Sequence, residues 1–299
     1  HPIPDEGTRL DSLSSGTVDA LQTLRQATIR DARTVAEDGS VWMFEFQGNN
    51  AGGGMFNVLV PPYDDVRVRR GLIMATRQDA IIAALGGEGI SEPATQLYAE
   101  DSPWYSAEAA EAYASYDFDG AVALLEDYIN DADRSDGKAV GEKLDVVLSC
   151  PPDPTLIAAM EVTQQFWNET GLVNTELTAF DQATHINMAL GMGNEFRGEH
   201  EVHCWRWGSE SDPGGENSGS APWETSPFNF SNWHDPEHYA LLEEARTTDD
   251  VPTRAALYAQ ASIMVNEQVP IYFSGGTATA IATAAGLGGL DSWILPDGE

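Results

Sequence analysis

Apolar residues return at helical spacing in some stretches of the chain and form short unbroken runs in others. Within 66–85, Val68, Leu72, Ala75, Ile81 and Ile82 fall on one helical face. Pro61-Pro62 and Asp64-Asp65 supply a start, and Gly86-Gly87 a stop, so the pattern predicts one helix. A second face, Ala121, Leu124, Leu125 and Tyr128, predicts a helix capped by Asp119 and ended by the polar stretch 130–141. Before both, Val41-Trp42-Met43-Phe44-Glu45-Phe46 reads as a strand by its β-branched and aromatic content, and Gly52-Gly53-Gly54 is expected to break it. From residue 144 strands and helices alternate: strand 144–149, helix 156–170, strand 173–178, helix 182–190, strand 202–207. That alternation predicts a largely parallel, helix-covered sheet. A stretch rich in glycine, serine and proline, 208–232, has no periodicity, as binding loops and mobile segments do. Helices at 236–246 and 252–267 then close onto a strand at 271–274.

Composition narrows the class. A chain of 299 residues makes one large α/β unit or two modest ones, and 42% apolar content excludes a disordered chain. Fifteen basic residues against 48 acidic ones leave a net charge of −33, which repels phosphate backbones and anionic lipid and excludes a nucleic-acid binder. The imbalance comes from scarce bases: two lysines, Lys138 and Lys143, stand beside thirteen arginines. Because the acids are spread from Asp5 to Glu299, adaptation to salt or a generally acidic lineage explains them better than a cationic ligand, which cannot use scattered charge. No window approaches 18 consecutive apolar residues. The chain starts His1-Pro2-Ile3-Pro4 without Met or a signal pattern, so the true N-terminus is expected upstream.

Candidate chemistry is sparse. Asp131, Asp133, Ser135 and Glu142 occupy calcium-loop places, but the sixth place holds Asp136 where the turn needs Gly, so a solvated loop is expected. His200 and His203 are three apart and His234 and His238 four apart. With no cysteine or acidic partner to complete a zinc set they read as surface histidines, and no metal or cofactor is expected. Nucleophile motifs are missing too: Cys204 adjoins His203, but strand neighbours point to opposite faces, so no enzyme is expected. Two cysteines by themselves leave the redox compartment open. Trp205-Arg206-Trp207 stands out, ending a strand and running into Gly208-Ser209-Glu210-Ser211-Asp212-Pro213. Ligands sit outside the carboxyl ends of strands in open α/β sheets, where aromatics give apolar contact and a carboxylate fixes a cationic group. The alternative is that a tryptophan belongs to the core and the acids are solvated, and spacing alone leaves both open.

Several segments together resemble the extracellular solute-binding proteins of family 5, the oligopeptide, dipeptide and nickel group that serves ABC importers. Ser14-Ser15-Gly16-Thr17-Val18-Asp19-Ala20 resembles the family's "sGevDa" turn, and 64–81 resembles its helix "D.rVRqAl.yAiDrdaI". Ser102-Pro103-Trp104-Tyr105 is similar to its "spwy" segment, 116–125 to "Y.yDpekAk.LL", and 207–213 to "W....DP". The stretch 229–242 resembles "N.s.y.npe.d.Ll", and 254–270 resembles "R..ly..aq.il.e..P".

The resemblance covers nearly the whole chain and corresponds to the C-terminal three-fifths of such proteins. It implies a periplasmic-binding-protein type II-like α/β fold with one nearly complete lobe plus part of the other: 1–60 in the first lobe, 61–275 the second lobe, 276–299 a return to the first. It implies a small-molecule or peptide ligand, an importer permease as partner, and a missing N-terminal portion of the same protein. The location implied is periplasmic or extracellular, with any lipid-anchor cysteine upstream. In an exported protein Cys150 and Cys204, both at strand ends, become a candidate disulfide. The ligand-binding set implied is Trp205, Trp207, Glu210, Asp212 and Asn232. In peptide-binding relatives an Asp three places after the Trp meets the ligand's amino terminus. Counting from Trp207 reaches Glu210, counting from Trp205 reaches Gly208, and this register departs from the family's. Metal or heme chelates, polyamines and sugars stay open as ligands, as does a sensor or adhesion module on the same fold.

The charge balance has a measurable consequence. With 48 acids against 15 bases, thermal midpoints are expected to climb between low salt and about 1 M potassium chloride, where the Debye length falls to about 3 Å. A flat or falling curve would remove the salt-adaptation reading.

Overall fold

A computed structural model of the chain describes residues 3, 5–190, 199–208, 228–287 and 289. The first elements are α1 (Glu6–Ser14), β1 (Ala20–Thr23), α2 (Gln26–Ala36) and the long strand β2 (Val41–Phe56). Helices α3 (Val66–Met74), α4 (Gln78–Ala84), α5 (Ala107–Ala112) and α6 (Phe118–Ile129) follow. The alternating part is β3 (Leu144–Cys150), α7 (Pro154–Glu169), β4 (Val173–Ala179), α8 (Gln182–Ala189) and β5 (Val202–Gly208). The chain continues through α9 (Pro236–Arg246) and α10 (Val251–Gln268) into a second long strand, β6 (Ile271–Ala284).

Helix starts follow local chemistry. Aspartates at positions 5, 65, 117, 153, 181, 235 and 250 each accept from an amide in the first turn that follows, which satisfies donors the helix leaves over. The cap of α6 is therefore Asp117, which accepts from Gly120, while Asp119 sits inside the first turn.

The single helix expected over 66–85 is two helices. The carbonyl of Leu72 accepts from the Trp167 indole at 2.9 Å and from the Thr76 hydroxyl at 2.8 Å, and the Thr76 amide turns back to Ile73. With that carbonyl occupied by side chains the helix ends, Arg77 becomes extended, and α4 starts afresh.

The sheet order is β1-β6-β2-β5-β3-β4. Only β3 runs parallel to its neighbours β4 and β5; the pairs β5–β2, β2–β6 and β6–β1 are antiparallel. The expectation of a largely parallel sheet thus holds for the βαβαβ unit from 144 to 208, and the remainder, in which β6 and β2 lie between β1 and β5, is antiparallel.

Gly52-Gly53-Gly54 does not end β2. The strand continues to Phe56, and the glycines are what allow it to do so. A Cβ built on Gly53 would lie 1.9 Å from the Tyr272 carbonyl oxygen, and one on Gly54 would lie 2.6 Å from the Tyr272 ring. The register of β2 against β6 shifts at this point, between Gly52 and Gly53, and again between Gln47 and Ala51.

The two long strands join different cores. Their 51–56 and 271–273 parts belong to the main core with Leu72, Leu125, Leu144, Leu148, Trp167 and Tyr258. Toward the other end Val41 and Ala282 pack with Leu13, Leu21 and Ala32 from the first elements, and Ala278 and Ala280 pack with Ile29 and Ile90.

Replacing Gly53 with Ala is expected to cost about 2 kcal/mol or more, since the obstacle is backbone that cannot rotate away. Gly7→Ala in α1, where the added carbon meets only Asp5 Oδ1 at 3.6 Å, should be neutral or slightly stabilising. Urea midpoints compare the two, and equal small effects would disprove the close passage.

Candidate functional site

Strand β5 carries the residues of interest because two neighbours fix it. It runs antiparallel to β2, with Trp205 opposite Gly53 and Trp207 opposite Ala51, and parallel to β3 on its other side. Alternation sends Val202, Cys204 and Arg206 to one face and His203, Trp205 and Trp207 to the other. On the first face Cys204 is bonded to Cys150 at the end of β3, with Cα atoms 5.3 Å apart. This cross-link ties the carboxyl end of β3 to the third residue of β5, so only Cys150 is at a strand end as expected.

On the second face the tryptophans form an aromatic group with Phe230. Ring centroids are 6.3 Å apart for Trp205–Trp207, 4.9 Å for Trp205–Phe230 and 6.4 Å for Trp207–Phe230. Trp207 is 8% exposed and part of the main core, Trp205 is half-buried against it, and Phe228 extends the group outward at 57% exposure. The Trp207 indole N–H is buried and has no hydrogen-bond partner among the described residues. A buried donor without an acceptor is costly, and a ligand oxygen is one group able to satisfy it.

Asn232 is buried and adopts a left-handed φ of 60°. Its amide donates to Asn57 Oδ1 at 2.9 Å, and Asn57 donates to the His200 carbonyl at 2.9 Å, so Asn232 fastens the 228–233 turn to the end of β2. Glu210 and Asp212 lie outside the described residues.

Of the four histidines that their spacing put on the surface, His234 is exposed and the other three are not. His200, His203 and His238 are buried, and so is His185 of α8. His185 stacks on His203 with centroids 4.0 Å apart and on Trp205 at 5.9 Å, and the His200 ring lies 4.7 Å from that of His203. His185 Nε2 bonds the Cys204 carbonyl at 3.0 Å, His200 Nδ1 bonds the Met188 carbonyl at 3.1 Å, and His203 Nδ1 meets the Ser149 hydroxyl. The cluster therefore clips α8 onto β5 and β3. The nearly parallel His185 and His203 rings lie face to face, and among the described residues no group of three His, Cys, Asp or Glu is arranged to hold a metal. Burial lowers His203 to about 2, helped by the charges of His200 and His185. Burial also lowers His185 against the pull of the Cys204 carbonyl, and His238 to about 4 against that of Asp235.

A separate cavity of about 380 Å³ lies at the α3–α4 break, lined by Thr76, Gln78, Tyr113, Tyr116 and Tyr272 among others. Its Gln78 amide and Tyr113 hydroxyl already bond the Ala94 and Phe273 backbone, which leaves fewer groups to orient a ligand than β5 offers. Spacing missed Phe230 and His185, whose roles come from loops and helices packed onto β5. It also passed over the calcium-like loop's use of Asp131 to hold Arg67 and of Ser135 to bond Asp64 and Tyr128.

A model of the family described as bacterial extracellular solute-binding proteins, family 5 Middle, matches residues 1–231. The chain is 27% identical over 279 residues to a dipeptide-binding protein of Escherichia coli K12, covering 89% of this chain and 47% of that protein. It is 27% identical over 288 residues to heme-binding protein A of Haemophilus influenzae, covering 90% and 46%. The solved dipeptide-binding protein of Pseudoalteromonas sp. SM9913 in complex with Met-Leu matches with a TM-score of 0.77 at 22% identity, covering 96% of this chain and 54% of that one. The fold is thus the α/β, type II periplasmic-binding-protein-like one, and the chain spans about half the length of the curated relatives it matches.

The buried imidazoles give stability a pH dependence with a definite sign. Their folded pKa values lie below the 6.5 of an ordinary histidine, so the unfolded chain takes up protons first as pH falls. Their contribution is fully present above about 6.5 and is lost on acidification, by about 1.4 kcal/mol per pH unit for each group while only the unfolded form titrates. The thermal midpoint should fall from pH 6.5 to 5, before carboxylates protonate, and His203→Asn should make that slope shallower. A midpoint unchanged over this range would contradict the burial of the cluster.

Proposed function

Because the chain belongs to the bacterial extracellular solute-binding proteins of family 5, we propose that it supplies one side of the solute cleft in the binding component of an ABC importer. Proteins of this family work in the periplasm or outside the cell and bind solutes rather than convert them. On this reading the complete protein closes two lobes around a peptide or related small solute and presents it to a permease, without catalysis. Residues 61–275 make one lobe, and 1–60 with 276–299 contribute to the other. Separate cores sharing β2 and β6 support that division.

The observation that carries the proposal is the end of β5. Trp205, Trp207 and Phe230 give an apolar wall at the carboxyl end of a strand, and the buried Trp207 N–H lacks a partner among the described residues. Glu210 and Asp212, which follow directly in sequence, are the carboxylates proposed to meet an ammonium group of the solute. The relatives named as dipeptide binders favour a peptide, and the heme-binding relative keeps chelates within the ligand range.

Tryptophan emission of the complete protein should change when a dipeptide mixture is added. Trp207→Phe keeps most of the packing and removes the N–H, so it is expected to weaken binding about 5-fold with little change in thermal midpoint. Trp207→Ala should weaken it further. Unchanged affinity per folded molecule in both variants would place the site elsewhere.

A further inference from the structure

Two packing units share the strands β2 and β6. On one side Leu13, Leu21 and Ala32 pack with Val41 and Ala282, and Ile29 packs with Ile90, Ala278 and Ala280; on the other lies the main core with Met160 and Trp167 of α7. The connection after α4 leans on the first unit: Arg33 of α2 donates to the Gly89 carbonyl at 2.9 Å, and Gly276 of β6 donates to that of Glu92 at 2.7 Å. One ion pair joins the units elsewhere. Arg25, the residue before α2, reaches Asp153, the cap of α7, at 2.7 Å.

This pair can part without damage to either side. Asp153 Oδ1 accepts from the Thr155 and Leu156 amides while Oδ2 takes Arg25, so the cap of α7 survives when the arginine leaves. The Arg25 backbone is held independently of its side chain, its amide donating to the Thr23 hydroxyl at 3.0 Å. Both side chains lie outside the cores, 43% and 24% exposed. The hydrogen bond between them holds Arg25 above its ordinary pKa and Asp153 below its own. A second cation stands nearby on the strand of the main core: Arg206 of β5 is held below its ordinary pKa first by burial of part of the side chain and then by the charge of Arg25. Arg25 is thus drawn to the other unit by Asp153 and pushed from it by Arg206.

We propose that the Arg25–Asp153 ion pair is a latch between the two lobes, made when they close and broken when they part, with Arg206 as the opposing charge. The inference rests on the two-lobe reading and adds to it the contact that sets how far the empty protein stays closed. An exposed pair contributes too little to decide folding, but open and closed forms of a two-lobe protein differ by small free energies, and there a few-fold effect is enough. Apparent affinity scales with the fraction of molecules in the binding-competent form, so the latch tunes solute capture without touching the solute.

The test uses the complete protein with spin labels at Glu37→Cys and Lys143→Cys, exposed positions in the first and second lobe, the native cysteines being bonded to each other. Double electron–electron resonance reads the label separation without solute at low ionic strength. Arg25→Gln should shift the ratio of short to long separations about 3- to 5-fold toward long. Asp153→Asn, which still caps α7, should shift it further, because it leaves Arg25 facing Arg206. The double variant should match Arg25→Gln, and Arg25→Lys should keep most of the wild-type ratio. In about 1 M potassium chloride wild type and variants should converge, since screening removes both the attraction and the repulsion. An unchanged ratio in both single variants, with helix content by circular dichroism also unchanged, overturns the latch and leaves solute capture standing. A single wild-type separation that neither salt nor a dipeptide mixture alters overturns lobe closure and the latch with it.

Discussion

Two long strands pass each other at a distance that only backbone can occupy, and the remaining architecture is arranged around that passage. Gly53 of β2 lies where any side chain would enter the Tyr272 carbonyl of β6. Because the strands stay together there, β2 can reach the main core at one end and the packing of α1 and α2 at the other. The same stretch of β2 is the template for β5, so Trp205 faces Gly53 in register and the aromatic group of the candidate site sits beside the crossing. Chain continuity, core sharing and site placement thus all depend on small residues at three consecutive positions.

The strand that carries the site is held by unlike devices on its two faces. One face has a covalent tie from Cys204 to Cys150, and the other has a stack of imidazoles joining α8 to β5 and β3. Both lie just before the Trp-Arg-Trp sequence, so the strand is rigid up to the residues that would meet a solute. Preorganisation of this kind lowers the ordering cost of binding.

What the sequence revealed depended on the range of the interaction involved. The helix at 236–246 is bounded by Pro and a capping Asp within a few residues, and it formed where its own pattern put it. The helix over 66–85 was divided by Trp167, some ninety residues distant, whose indole takes a carbonyl that periodicity assigns to the helix. Gly52-Gly53-Gly54 looked like a stop because its cause, the backbone of Tyr272, lies more than two hundred residues on. The histidines looked exposed because spacing along β5 says nothing of α8 lying above it. Of the site, the position of the tryptophans at a strand end was legible, whereas Phe230 and the unmatched N–H of Trp207 emerged only from tertiary contact.

The arginines set a floor on how acidic such a chain can become by drift. Arg69 donates to the carbonyls of Tyr63, Gln268 and Val269, joining the start of α3 to the end of α10, and Arg134 gathers the carbonyls of Ile129, Ala139 and Glu142. Each does with one planar group what a lysine's compact ammonium cannot do at comparable reach. Surface lysines can be exchanged for acids one at a time at little cost to the fold, but these arginines cannot follow. A lineage under steady pressure toward negative charge would therefore lose its lysines first and stop near its arginines, and two lysines beside thirteen arginines is the composition such a history would leave.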